Sequence, residues 1–306
     1  RSLPPAAYEE SKRMIHEGGR RVAAVCAFLF GASLGASAAP FMPHPIEDEQ
    51  ATFVDAHLDK VVLFGRNSRR TVEEFARDQK LDPAKLHHEF AASGLIECGA
   101  AHGAGQLTLT DDLVTTAAHV FFDEDGAPRA KTCTFVNDVD GREVRTKIDL
   151  SSIIAGSKNP YAVDAVHDWA VARLTRPVIG ATPYGLAGSE SPNTPVEFVA
   201  RGHVDWGDGR KLSMEKCALH DQLTVGEEGT REFSFDCETG DGASGGAVIV
   251  GDKGEPLVGA VLVGWRSNKP FHSAPFSATH YNFAVTIEGA FKKAVVASAA
   301  KAYVAR

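Results

Sequence analysis

Three short stretches carry residue types suited to nucleophilic chemistry. In Gly240-Asp241-Gly242-Ala243-Ser244-Gly245-Gly246 a serine is flanked by glycines. Its hydroxyl sits on a sharply turned backbone that a substrate can approach closely and where main-chain N–H groups converge. A serine hydroxyl is a weak nucleophile at neutral pH and needs a neighbouring base, usually histidine, itself oriented by a carboxylate. Thr115-Thr116-Ala117-Ala118-His119-Val120 ends a strand-like run on a histidine among small residues. Asp168-Trp169-Ala170-Val171-Ala172-Arg173-Leu174 opens another with an aspartate ahead of alternating apolar positions. Singly, each has a plain explanation: a glycine-rich hairpin turn, a half-buried histidine, a strand-entry aspartate. Together, His119, Asp168 and Ser244 each stand at a strand end, in surroundings suited to base, orienting carboxylate and nucleophile.

Such a set needs a rigid framework. The chain has 306 residues, 43% of them hydrophobic and 24% charged, enough for one large or two small domains. From residue 95 onward, Val/Thr/Leu-rich runs at 106–110, 113–116, 131–136, 144–150, 169–174, 196–200, 257–263 and 281–286 are separated by Gly, Asp-Asp, Asp-Gly and Asn-Pro turns. Two more runs, 232–236 and 247–250, bracket the Ser244 loop. Many short strands at close spacing predict an antiparallel sandwich or barrel rather than a wound α/β sheet. Residues 177–195, rich in Gly and Pro, read as a connector between two such units. Upstream, 60–64 reads as a short strand, Thr71-x-x-Glu74 as a capping box opening a helix through about 79, and Asp82-Pro83 as the start of another reaching about 92. Residues 287–304 predict a C-terminal helix with Ile287, Phe291, Val295 and Ala299 on one apolar stripe. The neighbours His87 and His88 point in different directions on a helix and have no third ligand spaced to help, so no metal site is expected.

The first residues set the compartment. Arg20-Arg21 precede an apolar run, 22–34, and a small-residue stretch offering an Ala-x-Ala site that ends at Ala38. This is the order of a secretory signal peptide, too short for a membrane span. Residues 1–38 are therefore expected to comprise the signal and upstream residues, with Met14 a candidate start and the arginine pair open to a twin-arginine reading. A retained N-terminal anchor is the alternative. The mature chain is expected to be secreted or periplasmic, with no membrane span. Residues 39–94 read as a linker and helical extension or a pro-segment, and the apolar helix faces favour a permanent extension. Loss of the signal removes Cys26 and leaves Cys98, Cys133, Cys217 and Cys237, an even count suited to an oxidising compartment. Sequential pairing, Cys98–Cys133 and Cys217–Cys237, staples each half of the chain, while the count alone permits two other connectivities. A net charge of −8 with no compensating Lys/Arg-dense stretch argues against nucleic-acid binding.

The blocks TAAH, DWAVARL and GDGASGG, in that order, resemble those of the trypsin-like (chymotrypsin-fold) serine peptidases, over roughly residues 95–286. The resemblance implies an all-β fold with peripheral helices: two antiparallel six-stranded β-barrels, about 95–180 and 181–286, and a C-terminal helix over 287–304. It implies His119 as general base, Asp168 as its orienting carboxylate and Ser244 as nucleophile, with the N–H groups of Gly242 and Ser244 as oxyanion hole. The implied function is a secreted, monomeric serine endopeptidase, acting on peptides or proteins through an acyl-enzyme with no metal or organic cofactor. Ala243 stands where the animal digestive enzymes carry an aspartate that pairs with a freed N-terminus, and AAHV lacks the cysteine that often follows the histidine. Both departures resemble the bacterial secreted branch. Glu238 occupies the place of the acidic residue that selects Arg or Lys. Thr239 is similar to the glutamate-specific branch, whose pocket histidine is absent from 261–264. Two other readings stand beside this one. Gly242-Ala243-Ser244-Gly245-Gly246 also satisfies G-x-S-x-G, the nucleophile elbow of α/β-hydrolase esterases, with Asp252 and His272 or His280 following. A catalytically silent, peptidase-like binding protein is the other.

Overall fold

The computed structural model describes residues 61–206, 210–251, 255–269 and 272–304. The expected signal segment, the linker up to residue 60 and Asp252 lie outside the described residues. Strand β1 (Val61–Val62) and helices α1 (Val72–Gln79) and α2 (Pro83–Glu89) come first. The first barrel follows, with β2 (Ser93–Cys98), β3 (Ala101–Leu107), β4 (Leu113–Thr116), β5 (Cys133–Val139), β6 (Arg142–Ala155) and β7 (Ala170–Leu174). These close in the order β2-β3-β4-β7-β6-β5. After β8 (Gly185–Leu186), the second barrel is made by β9 (Pro195–Ala200), β10 (Ser213–Val225) and β11 (Arg231–Phe235). The two-residue β12 (Thr239–Gly240) interrupts them before β13 (Ala247–Val250), β14 (Leu257–Ser267) and β15 (His280–Thr286). Its order is β13-β9-β10-β11-β15-β14, closed by the β13–β14 pairing, with β8 added in parallel on β14. Helix α3 (Gly289–Val304) follows β15. The all-β architecture of two six-stranded antiparallel barrels with peripheral helices is the one expected.

Local chemistry explains many of the boundaries. The Thr71 hydroxyl accepts from the Glu74 N–H at 3.2 Å and the Glu74 carboxylate accepts from the Thr71 N–H at 3.0 Å, the reciprocal capping box that starts α1. Asp82 caps α2 through Ala84 N at 3.0 Å, with Pro83 in the first turn. That helix stops at Glu89, short of the expected 92, and the chain turns so that Phe90, Ala91 and Ala92 are buried. The β5–β6 hairpin turns on Asp140 and Gly141, both at positive φ (52° and 75°), as a two-residue primed turn requires. Cys98 and Cys133 face each other across the β2–β5 seam, Cα atoms 4.4 Å apart, and their disulfide ties the barrel where it closes. The second disulfide joins Cys217 on β10 to Cys237, just after β11.

Strands β2 and β10 were not anticipated. β10 reads SMEKCALHDQLTV, too polar and irregular for a strand signal, and extends because β9 and β11 pair along its two edges. β6 likewise runs well past its apolar segment, paired with β5 and β7. The C-terminal helix begins at Gly289 rather than 287, because the Ile287 N–H still donates to Gly259 O at 2.7 Å and holds that residue to the sheet. Ile287, Phe291 and Val295 are buried and Ala299 packs against the same core.

α3 supports the strand that begins just after Asp168. The Phe291 ring stacks on Trp169, with centroids 4.9 Å apart and planes 12° off parallel, and the Arg173 guanidinium donates to Ser298 O. Phe291→Ala should therefore destabilise the protein by about 3–5 kcal/mol. Val296→Ala, at a position 47% exposed, should stay within about 0.5 kcal/mol. Urea unfolding of both variants checks the pair, and equal losses would mean that α3 is not anchored through its Phe291 face.

Candidate active site

Ser244 lies half-buried in the turn between β12 and β13. Two glycines shape that turn. Gly242 has φ +88° and Gly245 φ +86°, conformations that side chains rarely adopt. A Cβ on Gly242 would lie 2.0 Å from Gly202 O, and one on Gly245 would lie 2.1 Å from Thr116 Oγ1 and 2.3 Å from Ala104 O. The loop is thus pressed against the end of β4 and against Ala117, two residues before His119. Main-chain bonds hold it there: Ser244 O accepts from Ala104 N of the first barrel at 2.7 Å, and Gly245 N donates to Leu262 O of the second at 2.7 Å. Among the described residues, the N–H groups of Gly242 and Ser244 donate to no protein acceptor.

His119 sits on a 3-10 turn, Ala118–Val120, directly after β4, and is 8% exposed. Asp168, wholly buried, ends a second 3-10 turn, Ala165–His167, immediately before β7. β4 and β7 are adjacent antiparallel strands, so the end of one and the start of the other meet at one rim of the barrel. The contact is two-pronged. Asp168 Oδ1 accepts from the His119 main-chain N–H at 2.9 Å and Oδ2 accepts from His119 Nδ1 at 2.7 Å. With Nδ1 committed as a donor to the carboxylate, Nε2 of the neutral ring is left as a proton acceptor. Two residues without a sequence signal complete the surroundings. Arg129 Nε donates to His119 O at 2.8 Å and its Nη2 donates to the Tyr161 hydroxyl at 2.7 Å. The Tyr161 ring stands edge-on to the imidazole at 6.1 Å, and burial pushes its phenol up to about 12.

The α/β-hydrolase elbow reading is not compatible with this topology. An elbow serine must open a helix, whereas the chain after Ser244 becomes β13, paired with β9 and β14. His280, one candidate base for that reading, is buried with Nδ1 against Ser267 Oγ at 2.6 Å and Nε2 against Leu63 O at 3.0 Å. His87 and His88 lie apart on the surface, beside Glu73 at 2.9 Å and Asp140 at 3.8 Å.

Residues 63–70 form a strap over the second barrel, continuing from β1, which pairs with β12 (Val61↔Gly240, Val62↔Thr239). This strap changes the picture of Glu238. The side chain is buried, with Oε1 accepting from Phe64 N at 3.2 Å and Oε2 accepting from Ser68 N. Thr239, also buried, donates its hydroxyl to Asn282 Oδ1 at 2.9 Å. Beneath Glu238 lies a second carboxylate, Glu215, which accepts from Glu238 N at 2.8 Å and from Ser68 Oγ at 2.5 Å. Burial raises Glu215 from its ordinary 4.5 to about 8, against the lowering effect of those two hydrogen bonds, with Glu238 adding repulsion and Arg69 a small attraction. The next strap residue, Arg69, is buried and pairs with Asp205 at 2.6 Å and with His203 Nδ1 at 3.1 Å. His203 is held well below its ordinary pKa by burial first and Arg69 second. Its ring is therefore neutral, with Nε2 donating to Ser213 Oγ at 2.7 Å.

A family model for the trypsin-like peptidase domain matches residues 103–259. Among solved structures, a Glu endopeptidase in complex with MPD is similar at TM-score 0.57 and 14% identity, covering 78% of this chain and 100% of its own. A thermostable serine protease, AL20, from an extremophilic microorganism matches at TM-score 0.48 and 15% identity, covering 70% and 99%. The protease Anisep from Arthrobacter nicotinovorans matches at TM-score 0.47 and 15% identity, covering 69% and 96%. At these identities the structural likeness is one of fold. No curated protein matches the sequence.

The raised pKa of Glu215 has a sign. A carboxyl whose folded pKa exceeds its unfolded value favours the protonated folded state, so its stabilising contribution is full below 4.5 and is lost as pH rises toward 8. Glu215→Gln, which keeps the neutral shape, should flatten the fall in Tm between about pH 5 and 8. Parallel Tm–pH curves for the two proteins would count against a neutral Glu215.

Proposed function

The chain belongs to the trypsin-like peptidase family, and on that premise we propose that its serine endopeptidase activity runs through Ser244, His119 and Asp168. The observation that carries the reading is the two-pronged clasp of Asp168 on His119, beside a glycine-bounded Ser244 loop. In this mechanism Ser244 Oγ attacks the scissile carbonyl and passes its proton to His119 Nε2. Asp168 keeps Nδ1–H pointed inward and stabilises the imidazolium that forms. The N–H groups of Gly242 and Ser244 receive the oxyanion, a role supported by their having no protein acceptor among the described residues. The imidazolium then protonates the leaving amine. Water, activated by the same nitrogen, attacks the acyl-enzyme and releases the new carboxylate. Peptides or proteins are the substrates, and the chain acts as a monomer without metal or organic cofactor.

Within this reading Glu238 anchors the strap rather than selecting a basic side chain, since both of its oxygens already accept main-chain hydrogens. The strap and the two helices behind it are a retained extension rather than a discarded pro-segment. Val72, Phe75, Leu86 and Phe90 all lie in the main core, which supports this. Activation by an ion pair from a freed N-terminus has no acceptor at Ala243, which is wholly buried in an apolar cluster. The signal-like segment of residues 1–38 and the two disulfides support a secreted or periplasmic location.

Ser244→Ala and His119→Ala should each lower kcat on a peptide substrate by about a thousandfold or more. A fluorophosphonate should label folded wild-type protein at Ser244 and leave Ser244→Ala unlabelled. Less than a tenfold loss from either variant, or no label on the wild type, would overturn the assignment. Glu238→Gln should lower cleavage after Arg and after Leu by similar factors in a peptide library. A selective loss at Arg would restore it as a specificity residue.

A further inference from the structure

A cavity of about 770 Å³ opens beside the segment that follows His119, between residues 121–131 and strand β6. Its floor and walls are apolar: Phe121 and Phe122 are buried, and Leu150 and Ile153 are half-buried. Its remaining character is cationic, from Arg129, Lys131 and Lys158, and no acidic side chain lines it. Among the described residues neither lysine has an ion-pair or hydrogen-bond partner, and Arg129 bonds only to neutral oxygens, the His119 carbonyl and the Tyr161 hydroxyl. A pocket of this size with an apolar body and a few convergent polar groups is suited to a small organic ligand. Unmatched positive charge at its wall sets the sign of that ligand's head group.

We propose that this cavity binds an amphipathic monocarboxylate, its apolar body on Phe121, Phe122, Leu150 and Ile153 and its carboxylate among Lys131, Lys158 and Arg129. Arg129 makes the site more than a passive pocket. One face of its guanidinium holds the main chain of His119 and another holds Tyr161, whose ring stands against the imidazole. A carboxylate on the remaining N–H groups of Arg129 pulls the guanidinium toward the cavity and away from these two acceptors, so occupancy alters the positioning of His119. The coupling rests on the proposed role of His119, whereas the binding does not.

The test uses decanoate on the full chain carrying Ser244→Ala, which reads binding without turnover. Calorimetry should show saturable 1:1 binding. Decylamine and decanol should bind at least tenfold more weakly, and Lys131→Glu combined with Lys158→Glu should weaken decanoate by more than tenfold. An acetylated Leu-Phe-Leu peptide, whose one carboxylate is its C-terminus, forms the second arm. If it displaces decanoate and binds more tightly, the natural carboxylate comes from a peptide; if it does not displace it, the source is a free amphipathic acid. Absence of saturable decanoate binding below about 5 mM, within the weak-affinity range, or binding indifferent to the two charge reversals, overturns the site. In the active enzyme decanoate should change kcat with KM unchanged, and Arg129→Lys should remove that response while binding persists. A pure rise in KM would instead make the cavity part of the substrate cleft and overturn the coupling.

Discussion

The peptide bond between Ser244 and Gly245 is clamped from both sides, and the rest of the structure depends on that clamp. Its carbonyl accepts from Ala104 of one barrel and its N–H donates to Leu262 of the other, each at 2.7 Å. A main-chain group cannot be re-aimed by choosing another rotamer, so its position is set by the two barrels as bodies. Gly245 has no room for a Cβ because Thr116 Oγ1 and Ala104 O close over it, and Thr116 in turn donates to that same Ala104 carbonyl at 2.7 Å. The end of β4, which delivers His119, and the loop that carries Ser244 are thereby built against one another. Asp168 then fixes both the backbone and the ring of His119 from β7, the neighbouring strand. Two segments distant in sequence, the end of β4 and the start of β7, thus meet at one rim of the first barrel, and the Ser244 loop packs against the end of β4.

Beneath the loop lies a polar cluster of a kind that low dielectric makes demanding. Arg69 is buried, and its charge is matched by Asp205, while His203 stays neutral and passes its hydrogen bond on through Ser213 to Ala200 O. Alongside it, two carboxylates share one small space. Glu238 is met by two strap N–H groups, and Glu215, lacking a cation of its own, relieves the conflict by taking up a proton. Each buried group here has found a partner of the right sign or given up its charge. Not every site is so complete: Trp169 Nε1 is buried without an acceptor, held in place by its stack on Phe291 instead.

What could be read from the sequence follows a physical line. The strand ends that carry His119 and Asp168 and the turn that carries Ser244 were legible because the small, apolar or glycine neighbours that mark them are adjacent in the chain. Helix α1 was legible because its cap is closed within four residues, Thr71 to Glu74. β13 and β4 showed their apolar runs plainly. β10 did not, since its extended shape comes from β9 and β11 rather than from its own pattern. The fate of Glu238 was equally hidden: its partners lie 174 and 170 positions earlier, and they are main-chain N–H groups that any residue type supplies. Arg129 escaped notice for the same reason, because its acceptor is the carbonyl of His119.

The last helix also bears on how such a molecule comes into being. Strand β7, with Asp168 at its head, leaves the ribosome long before residues 289–304, yet it leans on Phe291 through Trp169 and on Ser298 through Arg173. The two contacts span 122 and 125 positions of sequence, so the start of β7 owes part of its support to a distant helix rather than to its neighbours in the chain. The support of the segment that carries Asp168 is thus non-local, complete only where α3 is docked on β7.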